Sequence, residues 1–253
     1  MNLVFVQMGR GVFVAVYALS DLHLALSVDK PMDVFGGRWN DYMQRIMLNW
    51  NSTVSDADTV IVGGDVSWAM YLADCDEDFS YIHSLNGRKI ISKGNHDYWW
   101  DSLTKLNKYI SDKGFNSISF LHNNSYIIED YAICGTRGWI NPGENSIGDD
   151  KKIYDRELSR LELSASDMEK RIESGSRADY ERVAVLHYPP VLNDGNIDLQ
   201  IESLLKKFKI TKCIYGHLHG SSCDSALNGE HNGIKYRLVS SDYMKFQPYN
   251  LNF

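Results

Sequence analysis

Residues 89–97 read KIISKGNHD, and this stretch decides how the rest of the sequence is interpreted. Its two adjacent isoleucines are typical of a short buried strand. Gly94 follows, and because glycine has no Cβ atom it allows the sharp turn with positive φ that can end a strand. Open α/β sheets bind their ligands at the carboxyl ends of strands. The residues predicted to lie at that end are Asn95, His96 and Asp97.

Four other stretches have the same order, an apolar run that predicts a strand and then polar side chains. The predicted strands cover residues 12–19, 59–62, 182–186 and 212–215. The polar residues that follow them are Asp21 and His23, then Asp65, then His187, and finally His217 and His219. Strands that alternate with helices form a largely parallel sheet, which brings their carboxyl ends to one edge. We therefore expect all of these side chains to lie close together.

Helical spacing of apolar residues predicts helices between these strands. They cover residues 38–49, 76–85, 102–113 and 197–208, with Ser102 as a cap. Short strands over 117–121, 126–128 and 131–134, separated by polar turns, predict an antiparallel meander in a second sheet. Residues 236–240 predict a last strand.

Residues 149–182 are charged and amphipathic, which predicts a surface helix or helix pair, with a lid or a dimer contact as alternatives. There are no internal repeats, low-complexity tracts or linker-like segments. The sequence therefore predicts one α/β domain over residues 1–253. Residues 1–11 lie before the first predicted strand and are interpreted as an extension or an upstream start.

Composition limits the functional classes. The 253 residues are 43% hydrophobic and 23% charged, with a formal net charge of −7. This acidity, without a dense run of Lys or Arg, disfavours long nucleic acids as partners. No stretch approaches the length of a membrane span. Four scattered cysteines without a C-x-x-C motif indicate a reducing, cytoplasmic compartment.

Five of the eight histidines fall in the strand-end clusters. Taken singly, an Asp-x-His or Gly-Asp pair is more often an ordinary turn, and a lone histidine is more often a core residue. Taken together, the clusters predict a metal centre. Carboxylate, amide and imidazole ligands without thiolates suit Mn, Fe, Zn, Ni or Co. The candidate ligands are too many for one ion and suit two, which in phosphoryl transfer lie about 3.5–4 Å apart.

The motifs D-x-H, G-D, G-N-H-D, an isolated His and G-H-x-H, in this order, resemble those of the calcineurin-like metallophosphoesterase superfamily. The resemblance extends from Asp21 to His219 and fills every ligand position. It implies a four-layer α/β/β/α sandwich in which two mixed sheets are flanked by helices. It also implies a cofactor of two divalent transition-metal ions, with Mn, Fe and Zn as the leading candidates.

The resemblance implies a role for each motif residue. The implied ligands are Asp21, His23 and His219 for one ion, Asn95, His187 and His217 for the other, and Asp65 as the bridge between them. His96 would contact the phosphate and protonate the leaving group, and Asp97 would orient His96.

These features predict a phosphoesterase that hydrolyses a small phosphomonoester or phosphodiester by in-line attack of a metal-bridging hydroxide. Predicted substrate contacts are Asn95, His96, Arg137, Trp68, Trp99 and Tyr188. For the tryptophans the alternative is packing that fixes the loops, and for Arg137 it is an ordinary surface arginine. The alternative functions are a nuclease acting on short nucleic acid and a metal-binding scaffold without turnover. The sequence does not indicate an oligomeric state.

Overall fold

The computed structural model describes residues 14–30, 32–143, 147–192 and 194–252. Their strands are β1 (Val16–Leu19), β2 (Thr59–Val62), β3 (Arg88–Ser92), β4 (Ile118–Leu121), β5 (Tyr126–Ile128), β6 (Tyr131–Thr136), β7 (Glu181–Leu186), β8 (Lys212–Tyr215), β9 (Gly229–His231), β10 (Ile234–Leu238) and β11 (Tyr249–Asn250). Their α-helices are α1 (Tyr42–Thr53), α2 (Asp76–Ser84), α3 (Leu103–Lys113), α4 (Asp149–Ser174) and α5 (Leu199–Lys207). Short 3-10 helices cover Met32–Phe35, Gly37–Trp39, Leu72–Asp74 and Gly220–Ser225.

The first sheet has the strand order β11-β1-β2-β3-β4. Strands β1 to β4 are parallel, and β11 joins β1 antiparallel. Every residue of β1 and β2 is buried, as expected for parallel strands covered on both faces. The first strand was predicted to begin at residue 12. The structure begins it at Val16, and residues 12 and 13 lie outside the described residues.

The second sheet has the order β5-β6-β7-β8-β10-β9. Its central strands β6, β7, β8 and β10 are parallel, and the edge strands β5 and β9 are antiparallel to their neighbours. The predicted meander is correct only for the β5–β6 hairpin. Strand β4 instead pairs parallel with β3 in the first sheet, with Ile118 opposite Lys89.

The two sheets pack face to face and share a buried apolar layer. Along β1, Val16 and Ala18 belong to this central layer, whereas Tyr17 and Leu19 belong to the outer cluster under the helices. This alternation follows from the two-residue period of a strand. The central layer also contains Ile61 and Ile90 from the first sheet and Ile133, Val183, Val185 and Ile214 from the second.

Helices cover the outer face of each sheet. Ile46 of α1 and Phe79 of α2 pack on the first sheet, and Leu161 of α4 and Leu205 of α5 pack on the second. The layers therefore run helix, sheet, sheet, helix, which confirms the predicted α/β/β/α sandwich with two mixed sheets. That residues 1–253 form one domain stays a prediction, and residues 1–11 lie outside the described residues.

Helix α1 begins later than predicted. The prediction began at residue 38, but a 3-10 turn covers Gly37–Trp39 and Asp41 has a left-handed backbone with φ of 52°. Helix α3 begins as predicted, because the Ser102 side chain accepts a hydrogen bond from the Lys105 amide. None of the helices among the described residues is long and apolar enough to cross a membrane.

Helix α4 is one 26-residue helix that ends at Ser174, before the predicted boundary at 182. A stripe of its side chains, including Tyr154, Leu161 and Met168, is buried against the second sheet. In this structure α4 is therefore an outer layer of the fold, which confirms the predicted amphipathic surface helix as one helix and not a pair. A role as a lid or a dimer contact stays a prediction.

The two faces of α4 should respond differently to truncation. Leu161 is 2% exposed and Leu163 is 57% exposed. We expect Leu161→Ala to lower the free energy of unfolding by about 2–5 kcal/mol, because it leaves a cavity in the outer layer. Leu163→Ala should change it by less than about 0.5 kcal/mol. Urea unfolding followed by circular dichroism measures both, and equal effects would contradict the packing of α4.

Candidate metal centre

The predicted site residues lie together at the carboxyl ends of five strands. They follow β1, β2 and β3 in the first sheet and β7 and β8 in the second. These parallel strands point the same way within each sheet, so their polar ends meet at one edge of the sandwich. The structure thus brings together Asp21, His23, Asp65, Asn95, His96, Asp97, His187, His217 and His219.

One group of candidate ligands consists of Asp21, His23 and His219. The Nε2 atoms of His23 and His219 are 3.2 Å apart. Asp21 Oδ1 lies 3.5 Å from His219 Nε2. Asp21 and His23 are buried, and His219 is partly exposed. The three side chains therefore present their ligand atoms to one small volume.

A second group consists of Asp65, His187 and His217, and Asn95 lies among them. Asn95 Oδ1 is 2.7 Å from His187 Nε2 and 2.9 Å from His217 Nδ1. The His187 ring is fully buried, and its Nδ1 lies 3.1 Å from the Gly63 carbonyl oxygen. Because a carbonyl can only accept, Nδ1 of His187 carries a proton and Nε2 is the ligand atom.

Asp65 lies between the two groups. Its Oδ2 atom is 3.8 Å from His23 Nε2 and 3.4 Å from His187 Nε2. Its Oδ1 atom accepts a 2.8 Å hydrogen bond from the His96 amide. One carboxylate oxygen therefore faces an imidazole of each group, which is the position of a bridging ligand.

The backbone at the site is strained. Four of the candidate ligands have positive φ values, a region that side chains other than glycine seldom adopt. They are Asp21 (61°), His23 (48°), Asp65 (51°) and His217 (73°). Each such conformation costs on the order of 1–3 kcal/mol, and such strain is concentrated at functional sites.

The electrostatics show an excess of negative charge at the site. Burial alone would lower the pKa of His187, but Asp65 and Asp21 raise it to about 9. Burial likewise opposes protonation of His219, but Asp21 and Asp242 raise its pKa to about 10. Burial lowers the pKa of His23 to about 4. The buried carboxylates therefore demand positive charge, which protons on two imidazoles or bound cations can supply.

The donor set fits divalent cations. His187 Nε2 faces the oxygens of Asn95 and Asp65, and His219 Nε2 faces His23 Nε2 and an Asp21 oxygen. Nitrogen and oxygen lone pairs that converge in this way repel one another unless a proton or a cation lies between them. Imidazole and carboxylate without thiolate suit Mn, Fe or Zn.

Asp97 holds the loops of the site. Its Oδ1 atom accepts hydrogen bonds from the amides of Val66 (2.8 Å) and Ser67 (3.3 Å) and from the Trp99 indole (3.1 Å). Its Oδ2 atom accepts from the amides of Asp65 (3.0 Å) and Gly94 (2.7 Å). Burial and the charge of Asp65 raise the pKa of Asp97 to about 6, against these donors.

Asp97 makes no direct hydrogen bond to the His96 side chain in this structure. Both oxygens of Asp97 are occupied by the loop donors, and His96 Nδ1 is buried without a hydrogen-bond partner among the described residues. The His96 ring instead lies 4.4 Å from the Trp68 ring. Burial lowers the pKa of His96. The carboxylate of Asp65 acts to raise this pKa, and the charge of His187 acts to lower it further. Asp97 therefore positions His96 through the loop backbone.

Gly94 is required for a different reason from the one predicted. It is not among the positive-φ glycines of the described residues. A Cβ atom at Gly94 would instead collide with the side chain and backbone of Asp65. Close approach of the two strand-end loops, and not backbone conformation, excludes every other residue there.

Some of the predicted substrate contacts line an open pocket, and others are buried or bound to neighbouring side chains. Trp99 is 2% exposed and donates to Asp97, so its prediction as a substrate contact is wrong. Trp68 and His96 line an open pocket. Arg137 donates to Glu157 over 3.4 Å and covers the Trp139 ring. Tyr188 is buried, with its ring 4.2 Å from the His217 ring. Substrate contact by Arg137 and Tyr188 stays a prediction.

Asp242 is a site residue to which the sequence pattern assigned no role. Its fully buried side chain lies 2.8 Å from His219 Nδ1 and accepts from the Gly220 amide. The contact fixes the proton on Nδ1 and leaves Nε2 of His219 free for a cation. The signal available in the sequence was a Ser-Asp pair that follows the last predicted strand.

Asp242 can be tested by its effect on cation binding. We expect Asp242→Asn to weaken Mn²⁺ binding about 10–100-fold, because His219 loses the carboxylate that orients it. Asp224, an exposed carboxylate in the 3-10 helix that follows His219, provides the control variant Asp224→Asn. Titration calorimetry on metal-stripped protein measures both variants. Equal affinities of the Asp242 variant and the wild-type protein would contradict the assignment.

Comparisons with known proteins agree with this geometry. A model of the calcineurin-like phosphoesterase family matches residues 14–221. The phosphopantetheinyl hydrolase of Mycobacterium tuberculosis is similar in structure, with a TM-score of 0.51 and 12% identity over 94% of this chain and 95% of that chain. The protein TT1561 of Thermus thermophilus is also similar, with a TM-score of 0.54 and 11% identity over 94% of this chain and 98% of that chain.

At these identities the structural likenesses concern the fold alone. Comparison with curated proteins finds no match. The family match covers most of the chain and includes all five strand-end motifs. On that match, the chain belongs to the calcineurin-like phosphoesterase family.

Proposed function

We propose that this protein is a di-metal phosphoesterase that hydrolyses a small phosphomonoester or phosphodiester. The observation that carries the proposal is the position of Asp65. One of its oxygens faces an imidazole of each ligand group, and the amide of His96 binds the other. A pair of cations is an arrangement that catalyses in-line phosphoryl transfer to water.

The proposed ligands follow the two groups. Asp21, His23 and His219 would hold one ion, Asn95, His187 and His217 the other, and Asp65 would bridge them. Mn, Fe and Zn suit this donor set. When bound, two such cations lower the pKa of coordinated water and offset the negative charge of the phosphate.

His96 is the proposed proton donor to the leaving group. Burial lowers its pKa in the free protein, and the negative charge of a bound phosphate acts in the opposite direction. In its protonated form the ring would give its proton to the departing oxygen. Asp97 supports this role by holding the loop from which His96 projects.

A covalent phosphoenzyme on cysteine is disfavoured. Burial raises the pKa of the Cys75, Cys134 and Cys213 thiols far above the usual range, so they remain protonated near neutral pH. Burial and the charge of Asp242 raise the pKa of Cys223 to about 11. Water is therefore the proposed nucleophile.

Two alternatives remain distinct. A nuclease acting on short nucleic acid would use the same chemistry, but the net charge of −7 disfavours polyanion binding. A metal-binding scaffold without turnover would not need His96 beside the ligands. The proposed partner of the protein is a small phosphorylated compound. The proposed location of the protein is the cytoplasm, without membrane association, and no oligomeric state is proposed.

The first experiment is elemental analysis of the purified protein together with hydrolysis of aryl phosphate mono- and diesters in added Mn²⁺, Fe²⁺ or Zn²⁺. Two ions per chain and metal-dependent turnover would support the proposal, and the preferred ester would narrow the substrate. Two ions without turnover on any ester would favour the scaffold. Failure to bind any of the three metals would overturn the di-metal assignment.

A variant of His96 separates binding from chemistry. We expect His96→Ala to bind two ions with unchanged stoichiometry and to lose about 10²–10⁴-fold in kcat, because the leaving group loses its proton donor. His231→Ala, at an exposed histidine of β9, is the control and should match the wild-type protein. A His96 variant with wild-type kcat on alkyl esters would remove His96 from the mechanism.

A further inference from the structure

A side pocket of about 330 Å³ opens beside the first ligand group. His23, His96 and His219 form the part nearest the site, and Met32, Phe35 and Trp68 line its walls. Its size is at the lower end of the range for small-molecule pockets. The side pocket can therefore hold a small organic group attached to a phosphate at the metal centre.

The position of His96 indicates that the organic group in the side pocket belongs to the leaving alcohol. A general acid must come within hydrogen-bond reach of the oxygen that it protonates. His96 lines the side pocket, so the organic substituent of an ester oxygen beside His96 has room to enter this pocket. This step rests on the proposed function, in which His96 protonates the leaving group.

The walls of the side pocket are apolar, and one of them is open to a ligand. Trp68 already has close neighbours, since the His23 ring stacks 5.0 Å from it and the Lys30 ammonium lies 4.6 Å from its centre. Met32 is buried and accepts from the Trp68 indole. Phe35 is 64% exposed, so its ring is the aromatic surface most available to a bound group.

A cation lies at the rim. Arg38 lines the side pocket, and its side chain is 51% exposed. A guanidinium has five N–H donors. Among the described residues, the guanidinium of Arg38 donates one hydrogen bond, to Asp242 over 3.4 Å. Asp242 is already committed to His219 and Gly220. Most of the donors of Arg38 therefore remain available to an anion.

We propose that the side pocket selects a leaving group with an aromatic or apolar body and an additional anionic group. Phe35 contacts the body, and Arg38 pairs with the anion. Lys30, above Trp68, adds positive charge on the same side of the site. The substrate class is therefore a small phosphate ester of an anionic aromatic alcohol, and esters of small neutral alcohols are poor substrates.

Three esters test the side pocket with leaving alcohols of similar chemistry: ethyl, benzyl and 4-carboxybenzyl phosphate. Each is used as the monoester or the methyl diester, whichever the wild-type enzyme hydrolyses. We expect kcat/KM to rise about ten-fold from ethyl to benzyl and again to 4-carboxybenzyl, because each step adds one contact. Equal values for the three esters would overturn the inference and leave the proposed function standing.

Two variants assign the contacts. Phe35→Ala should reduce the preference for benzyl over ethyl to near one, and Arg38→Gln should do the same for 4-carboxybenzyl over benzyl. Val34→Ala, at a 72% exposed neighbour, and Arg88→Gln, at an exposed arginine at the start of β3, are the controls and should keep both preferences. Preferences that survive in the Phe35 and Arg38 variants would exclude these residues.

Binding gives a second measurement that does not depend on turnover. Calorimetric titration of His96→Ala with the three esters should give the same order of affinity, and adding Arg38→Gln should remove the advantage of 4-carboxybenzyl phosphate. If no ester is hydrolysed by the wild-type enzyme but this order of affinity holds, the proposed function fails and the side pocket stands. If the three esters bind equally, the side pocket fails.

Discussion

Five N–H donors converge on the buried carboxylate of Asp97, and the geometry of the metal centre depends on this contact. Three come from the consecutive amides after β2, one from the Gly94 amide after β3 and one from the Trp99 indole. Together with the hydrogen bond from the His96 amide to Asp65, this carboxylate joins the two loops and fixes Asp65 relative to Asn95 and His96. An amide could not replace it, because its NH₂ group would face donors.

The same edge of the sandwich has two features that are unfavourable for folding, a strained backbone and buried negative charge. Four candidate ligands have left-handed backbones, and three buried carboxylates, Asp21, Asp65 and Asp242, raise the pKa values of His187 and His219. The packing of the two sheets must offset the free energy of the strained backbone. The negative charge of the carboxylates can be balanced by positive charge within the site. Protons balance it in the free protein, and cations that displace those protons would bind more weakly as pH falls. The fold thus supplies rigidity, and protons or cations supply the positive charge that the buried carboxylates need.

The sequence was informative where each feature depends on one strand and its own end. Apolar runs followed by polar residues predicted β2 and β8 to the residue, and they indicated the nine side chains that the structure brings together. It failed where a feature depends on distant partners. The pairing of β4 with β3, the hydrogen bond from His219 to Asp242 and the collision that requires Gly94 arise only when segments far apart in the chain meet.

The two sides of the site are built differently, and this difference determines where specificity can arise. On one side, Glu157 of α4 is buried and accepts from Thr136 and Arg137, so the loop after β6 is fixed to a helix that is part of the core. On the other side, Phe35 and Arg38 project from short 3-10 turns and remain exposed. Substitutions on the α4 side would disturb packing, whereas the exposed positions of the 3-10 turns, Phe35 and Arg38, can change at little cost in stability. Selection among phosphate esters is therefore most readily altered at these turns, while the ligands and Asp97 are left in place.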